Sequence, residues 1–357
     1  MKHNYILLIG IILCIIYLQL YKNIRTNETF IDYSQEESET IFIIMTKLIR
    51  PWERMFYSYR NKNIILYKKL IIGNIDNKNT LLGFINSSNL INLDNKVFFT
   101  KFMEEYKKSY YPETYIFENK KFNKKIPDEK SLYYVKNTTT QLYGGKGIYI
   151  FKNPKNINKF VNLNNTKNFI IQKDIGKPYL NEQRKSDLRF YLLVVNINGT
   201  VKIYLYNDGF LKMAPNKYDD SSLDKKTLLT NNTQRKDTMV DNKLVSSLKD
   251  KDEIFNKSKD LLTNLSKSLK EKITEDLKNK DTFQIHVIGP DIIFDEKMNP
   301  YLLELNIGNP AFILKKNNPE IKLLKYKIAN DIVNNFVLSY MNNKKINEED
   351  SNFIKLV

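Results

Sequence analysis

The chain has 357 residues, 42% of them hydrophobic, and a formal charge of +17. That length supports one large domain or two to three small ones with a sizeable core, and that charge attracts polyanions: nucleic acid, anionic lipid or acidic protein tails. One cysteine, Cys14, and two histidines, His3 and His286, exclude an internal disulfide and argue against a His-rich metal centre or a Ser-His-Asp triad. Lysine is spread along the chain, with no Arg-rich segment and no zinc-finger spacing, so no specific nucleic-acid partner is expected.

In chain order, the first element is an apolar run from Tyr5 to Leu18, extended past Gln19 by Leu20 and Tyr21. This is the lower limit of a bilayer-spanning helix. No small-x-small cleavage site follows it, so residues 1–22 read as a single-pass membrane anchor rather than a cleaved signal. The positive charges flanking it, Lys2 before and Lys22 and Arg25 after, have a slight C-terminal excess, which places the body in the cytosol. Residues 23–40 read as a polar linker, 41–130 as an N-terminal subdomain and 346–357 as a tail.

Leu132 to Lys136 reads as a strand ending in a lysine, followed by the loop Gly144-Gly145-Lys146-Gly147 and a second strand, Ile148 to Phe151. Strand, glycine loop, strand lets backbone N–H groups cover phosphates while a strand lysine meets their charge; it also describes a plain hairpin turn. No Ser or Thr follows Gly147, so it is not a Walker loop. Asn168 to Ile175 is another strand with a polar end. In Arg184 to Arg189, the alternation of Lys185, Asp187 and Arg189 puts all three on one face at the start of the apolar strand Phe190 to Val195. Such a face suits either an anion such as a triphosphate or an ion-pair network. Within 241–280, Leu261, Leu262, Leu265, Leu269, Ile273 and Leu277 recur at helical spacing, and Ile321 to Met341 reads as a closing helix.

His286 to Phe294 and Tyr301 to Ile307 read as a hairpin. Centred between Lys297 and Met298, it places Asp291 opposite Glu304, with Asn306 on the same face as Glu304. Carboxylates held that close among apolar neighbours call for a cation, and oxygen ligands of this kind suit Mg²⁺. The alternative is an ordinary solvated hairpin with acids at its edge. His286, alone on its strand, reads as a core-edge residue.

The order of these pieces resembles the tubulin tyrosine ligase-like family. Tyr110 to Ile116, Val135-Lys136 with Gly145-Lys146-Gly147, Ile171 to Ile175, Arg184 to Arg189, Tyr204 to Lys212, Leu229 to Asn232, and Asp291 with Leu303 to Asn306 are similar to its motifs, in the correct order, from about Thr100 to Phe312. The resemblance implies an α+β fold of ATP-grasp type over 131–345, with the nucleotide held between two α+β subdomains. It implies ATP and Mg²⁺ as cofactors. Lys136 and the loop Gly144, Gly145, Lys146, Gly147 would contact the phosphates, and Gln172 and Lys173 would hold the adenine. Lys185 and Asp187 would lie near base and ribose, with Thr230 and Asn231 close by. Arg189 would face the γ-phosphate, Lys212 would help bind the reacting amino acid, and Asp291, Glu304 and Asn306 would hold the metal.

The implied activity joins a free amino acid (glutamate, tyrosine or glycine) to an acidic protein tail, tubulin foremost. The chain departs from the family pattern at Asn137, at Asn207 in place of an arginine, at Lys212 in place of an arginine, at Leu229 in place of a histidine and in Ile307 to Pro310. Nucleotide residues are kept while acceptor-side residues drift. Two rival readings stay open: a ligase acting on a small peptide or metabolite, and a non-catalytic protein that binds tubulin or a membrane partner.

Overall fold

A computed structural model of the chain describes residues 64–67, 70–75, 78–85, 87–106, 108–138, 145, 147–231, 242–277, 283–307, 318–341, 345–346 and 348–357. All of them belong to one compact unit. The expected anchor, linker and the start of the expected N-terminal subdomain lie outside the described residues. Among the described residues no helix is long and apolar enough to cross a membrane.

The elements in chain order are β1 (Ile64–Tyr67), β2 (Leu70–Ile75), β3 (Lys78–Phe84), α1 (Ser88–Asn92), α2 (Lys96–Tyr106), β4 (Thr114–Glu118), β5 (Lys121–Phe122), β6 (Tyr133–Asn137), β7 (Ile148–Phe151), α3 (Pro154–Leu163), β8 (Phe169–Lys173) and β9 (Leu180–Asn181). They continue with β10 (Arg184–Arg189), β11 (Leu192–Ile197), β12 (Thr200–Tyr206), β13 (Phe210–Met213), α4 (Lys225–Leu228), β14 (Lys243–Leu244), α5 (Lys251–Asp276), β15 (Phe283–Phe294), β16 (Pro300–Asn306), α6 (Pro319–Asp331) and β17 (Phe353–Lys355). The fold is mixed α+β with mostly antiparallel sheets.

The smaller sheet has the order β5-β4-β8-β6-β7. Alternation along its strands sends Tyr133, Val135, Phe169 and Ile171 into a core with Ile157 and Val161 of α3. Tyr134, Lys136, Ile170 and Gln172 therefore face the other way. Helix α3 starts where Asn153 caps the Lys155 amide and Pro154 supplies a preset φ. The expected division at residue 130 cuts through this sheet, because β4 pairs with β8 along Thr114–Phe117.

The larger sheet is organised by β15. Its first half lies between β3, in parallel, and β11; its second half lies between β10 and β16. Pro290, which has no N–H to donate, sits where the partner changes from β11 to β10, and its carbonyl accepts from the Phe190 amide at 3.2 Å. Both faces are covered. Leu192, Val194, Ile288 and Ile292 pack with Leu261, Leu265, Leu269 and Ile273 of α5. Leu193, Val195, Tyr204 and Val287 pack with Ile321, Leu324 and Ile328 of α6. Each such fully buried aliphatic side chain contributes about 1.5–3 kcal/mol.

The closing helix expected over 321–341 begins at Pro319 and widens into a π-helical segment over Ile332–Val337 before Leu338–Met341. The residues read as a tail are part of the fold. β17 pairs with β12, and the Asp331 carboxylate accepts from the Ser351 hydroxyl at 2.8 Å and the Asn352 amide at 2.7 Å.

Candidate functional site

The hairpin of β15 and β16 pairs Asp291 with Glu304, the register read from the sequence, but it arrives there by another route. The turn closes one residue earlier, with Phe294 opposite Pro300 and Ile292 opposite Leu302. A bulge at Leu303 then restores Asp291 to Glu304 and Gly289 to Asn306. Met298 takes φ +62° in the turn, and Asp295 caps the amides of Lys297 and Asn299. The Asn306 amide nitrogen donates to the Gly289 carbonyl at 3.0 Å.

The pairing of β10 extends this row of charge across the sheet. Arg189 stands opposite Asp291, and Asp187 stands opposite Lys212 of β13. The Arg189 guanidinium donates to both oxygens of Asp291, from Nε at 2.6 Å and from Nη2 at 2.9 Å. Lys212 Nζ lies 2.7 Å from Asp187 Oδ1 and 3.0 Å from Asp291 Oδ2, so it bridges the two carboxylates. The Thr230 hydroxyl, presented just after α4, donates to the other Asp187 oxygen. Gly289 makes room for this: a Cβ there would come within 3.1 Å of Arg189 Cδ and Nη1.

All four charged groups are buried, so their protonation depends on one another. Burial works against the Arg189 and Lys212 charges, but the facing carboxylates outweigh it and hold both above the usual range. Burial pushes the Asp187 carboxyl up, with Lys212 opposing. For Asp291 burial is outweighed by Arg189 and Lys212, which hold its carboxyl well below the usual range.

The small sheet supplies the facing wall. Lys136 Nζ donates to Gln172 Oε1 at 2.8 Å, and Gln172 Nε2 donates to the Thr114 hydroxyl at 3.4 Å. Burial brings Lys136 down to about 8, with Glu304 opposing and Lys96 adding to the shift. Lys185 bridges the two sheets, donating to the Tyr134 hydroxyl at 2.6 Å and to Asp174 Oδ1 at 3.2 Å. Burial works against the Lys185 charge, and Tyr134 and Asp174 outweigh it. Gly145 and Gly147 both have φ +77°, and the Gly147 carbonyl accepts from the Asn137 amide at 3.0 Å. Gly144 and Lys146 lie outside the described residues.

Lys212, Asp187, Thr230, Arg189, Asp291 and Asn306 are thus joined by direct contacts, with Glu304 opposite Asp291, while Lys136 with Gln172, and Lys185 with Tyr134 and Asp174, form two further clusters. Lys173 joins none of them. One residue beyond Gln172, it points to the opposite face of β8, where its ammonium lies 2.5 Å from Glu129 and 3.9 Å from Glu113. Asn231 is half-buried next to Thr230. Among the departures, Asn207 is exposed and donates to Asn352, while Leu229 is buried against Tyr134 and Leu228. His286, read as a core-edge residue, lies 2.9 Å from the Ile307 carbonyl oxygen.

Sequence reasoning passed over Tyr134, Asp174, Thr114 and Lys96, the last 3.6 Å from Glu304. Tyr134 was recoverable, since it shares a strand face with Lys136. The others join only through tertiary contact.

The donor set suits a hard cation: two carboxylates and an amide oxygen on adjacent strands. Among the described residues no group of three or more His, Cys, Asp and Glu side chains is placed to hold a metal. In this structure the positive charge that Asp291 requires comes from Arg189 and Lys212. Metal ligation by Asp291 requires those two cations to share or release it.

The model of the tubulin-tyrosine ligase family matches residues 74–346. A probable tubulin polyglutamylase, ttll-9 of Caenorhabditis elegans, is 28% identical over 205 residues, 53% of this chain and 48% of that protein. Tubulin polyglutamylase TTLL5 of Mus musculus is 33% identical over 78 residues, 22% of this chain and 5% of that protein. Tubulin glycylase 3B of Drosophila melanogaster is 32% identical over 92 residues, 26% of this chain and 12% of that protein. The chain therefore spans about half the length, or less, of these relatives. With the family's domain covering all of these charged residues and the strands that carry them, the chain belongs to the tubulin-tyrosine ligase family.

Proposed function

We propose that the protein is an ATP-dependent carboxylate–amine ligase of ATP-grasp type, adding an amino acid to an acidic protein tail, with tubulin as the foremost acceptor. The observation that carries this reading is the row Lys212, Asp187, Arg189, Asp291, Glu304 laid across four adjacent strands. With Lys136 and Lys185 on or against the small sheet, Asp174 beside Lys185 and Lys96 beside Glu304, cations outnumber carboxylates by one, which favours a polyphosphate between the sheets.

In the proposed reaction a carboxylate attacks the γ-phosphorus of ATP, giving an acyl phosphate and ADP. An amine then attacks the acyl carbon, phosphate leaves with the bonding pair, and an amide forms. Arg189 and Lys136 stabilise the charge that gathers on the transferring phosphoryl oxygens. Lys212 holds the carboxylate of the incoming amino acid, and Thr230 keeps Asp187 oriented. Asp291, Glu304 and Asn306 would hold Mg²⁺, which when bound neutralises phosphate charge. No side-chain nucleophile is required, in keeping with a chain whose one cysteine is Cys14. The overall charge of +17 draws acidic tails to the surface. The relatives, polyglutamylases and a glycylase of tubulin by name, support glutamate or glycine as the added residue.

The test is incubation with Mg-ATP, tubulin and each of labelled glutamate, glycine and tyrosine, with Glu304→Gln as control. Label in tubulin that is absent with the variant supports the ligase and names its amino acid. Mg-dependent ATP binding without label moves the acceptor elsewhere. No ATP binding removes the proposal.

A further inference from the structure

The small sheet carries a lysine surface on the face turned away from the site. From Ser131 to Lys173 the sequence has seven lysines and no Asp or Glu. Part of that run folds as helix α3, whose Ile157 and Val161 pack on the sheet. The opposite side of the helix faces solvent: Lys155 and Lys159 are exposed there with Asn158, Asn162 and Leu163, and the exposed Lys167 follows. The stripe has a direction. The chain leaves β7 for α3 at Phe151, opposite Tyr133, and returns in β8 at Phe169, opposite Asn137. Lys167 therefore stands at the end of the sheet that holds Lys136 and the glycine loop, where the Asn168 carbonyl accepts from the Thr138 amide at 2.9 Å.

Local stability does not explain this arrangement. Lys155 lies in the first turn of α3, where a positive charge opposes the helix dipole, and no acidic residue accompanies it. Lys155 and Lys159 are like charges at i,i+4, which also disfavours the helix. Lysines beside β4 of the same sheet are paired, Lys124 with Glu104 at 2.8 Å and Lys101 with Glu118 at 3.5 Å. Among the described residues no carboxylate reaches Lys155, Lys159 or Lys167. An anionic partner would neutralise all three, and their neighbours select its class. A membrane-binding helix presents an apolar row, whereas Leu163 is the large apolar side chain that α3 exposes. Single-stranded nucleic acid calls for open aromatic faces, but Phe160 packs against Tyr149 and Phe151. Asparagine amides beside lysines suit an acidic polypeptide: the amides bond its backbone and the ammonium groups meet its carboxylates.

We infer that the α3 surface from Lys155 to Lys167 docks the acidic tail of the acceptor protein outside the reaction site and leads it round the end of the sheet toward Lys136. An extended peptide of about ten residues spans about 33 Å, roughly twice the length of a helix of the same number, so a tail can lie along α3 and still pass that end. The inference rests on the ligase reading above for what the tail is brought to; docking itself needs neither ATP nor turnover. α3 then sets the affinity for the acceptor and leaves the chemical step untouched.

The test is fluorescence anisotropy of a labelled oligoglutamate peptide of about ten residues with the full chain, with Lys155→Glu/Lys159→Glu, and with Lys251→Glu/Lys267→Glu on α5. The α5 pair is exposed and makes the same change of net charge. The expected result at low salt is about tenfold weaker binding for the α3 variant and a change within about twofold for the α5 variant, the difference vanishing near 0.5 M salt. Equal losses in both variants overturn the inference, because net charge alone then explains them. So does a loss confined to vesicles of phosphatidylcholine and phosphatidylserine with peptide binding intact, which assigns α3 to a membrane surface. If the α3 variant does not fold, Lys155→Gln/Lys159→Gln decides, with about threefold weaker binding expected and unchanged binding overturning the inference. In the labelling assay with tubulin the α3 variant should raise KM and keep kcat; a fall in kcat at constant KM overturns the inference. Peptide binding through α3 without any ligation removes the ligase reading and leaves the docking surface standing.

Discussion

Replacing Lys212 by methionine keeps the length of the side chain and removes the charge that bridges Asp187 and Asp291. The two contacts it loses, at 2.7 and 3.0 Å, lie between side chains only 6–11% exposed. Removing one partner of a buried ion pair costs about 3–5 kcal/mol, because the other charge is left uncompensated. Here Arg189 still holds Asp291 through two bonds and Thr230 still donates to Asp187, so the low end, about 3 kcal/mol, is expected. For a chain of this size that lowers Tm by about 4 °C. The loss depends on pH. Burial already sets the folded Asp187 carboxyl above its usual range, and without Lys212 it rises further. A carboxyl whose folded pKa exceeds its unfolded value costs stability above the unfolded pKa, and that cost disappears as pH falls through the folded value. The Asp187 part of the gap between Lys212→Met and the unaltered protein should therefore narrow from about pH 7.5 toward about pH 4, where that carboxyl protonates in both states. Adding Asp187→Asn should recover most of the loss at neutral pH. Thermal unfolding followed by circular dichroism across that range is the assay. A gap below about 1 kcal/mol, or one that does not move with pH, would refute the reasoning.

Gly209→Ala should destabilise the fold by about 1–3 kcal/mol, since a Cβ there would lie 2.5 Å from the Arg189 carbonyl oxygen and 2.8 Å from Phe190 Cδ1. Urea titration reads this directly, and a change within about 0.5 kcal/mol would mean that the two segments part easily. Burial sets Lys136 at about 8, so its ammonium is lost as pH rises through that value, and phosphate affinity should fall with it. Lys136→Arg keeps its charge over the same range, so a nucleotide-binding profile that declines equally in both proteins would remove Lys136 from the site.

Much of this site was legible before any fold was drawn. Strand side chains alternate, so Lys185, Asp187 and Arg189 had to share a face, as did Glu304 and Asn306. The same rule, applied one residue further, removes Lys173 from the Gln172 face; the motif had joined two residues that alternation separates. The Asp291–Glu304 pairing was reached although the turn was misplaced by one, because a bulge at Leu303 absorbed the difference. A bulge leaves no clear mark in Tyr301-Leu302-Leu303-Glu304, where either leucine could be the extra residue. The boundary at residue 130 failed for a related reason. Long-range pairing of β4 with β8 depends on which edges are available, not on local composition.

By itself the sequence determined the strand faces, the amphipathic helix α5, the charged residues that alternate at the site and the family to which the motifs belong. These follow from short-range periodicity and from residue types that carry their chemistry wherever they are placed. Only the tertiary structure decided who neutralises whom. It set Arg189 on both oxygens of Asp291, Lys212 between two carboxylates and Lys185 between Tyr134 and Asp174. The physical reason is that buried charges are settled by contacts between strands far apart in the chain, where register and burial together choose the partner.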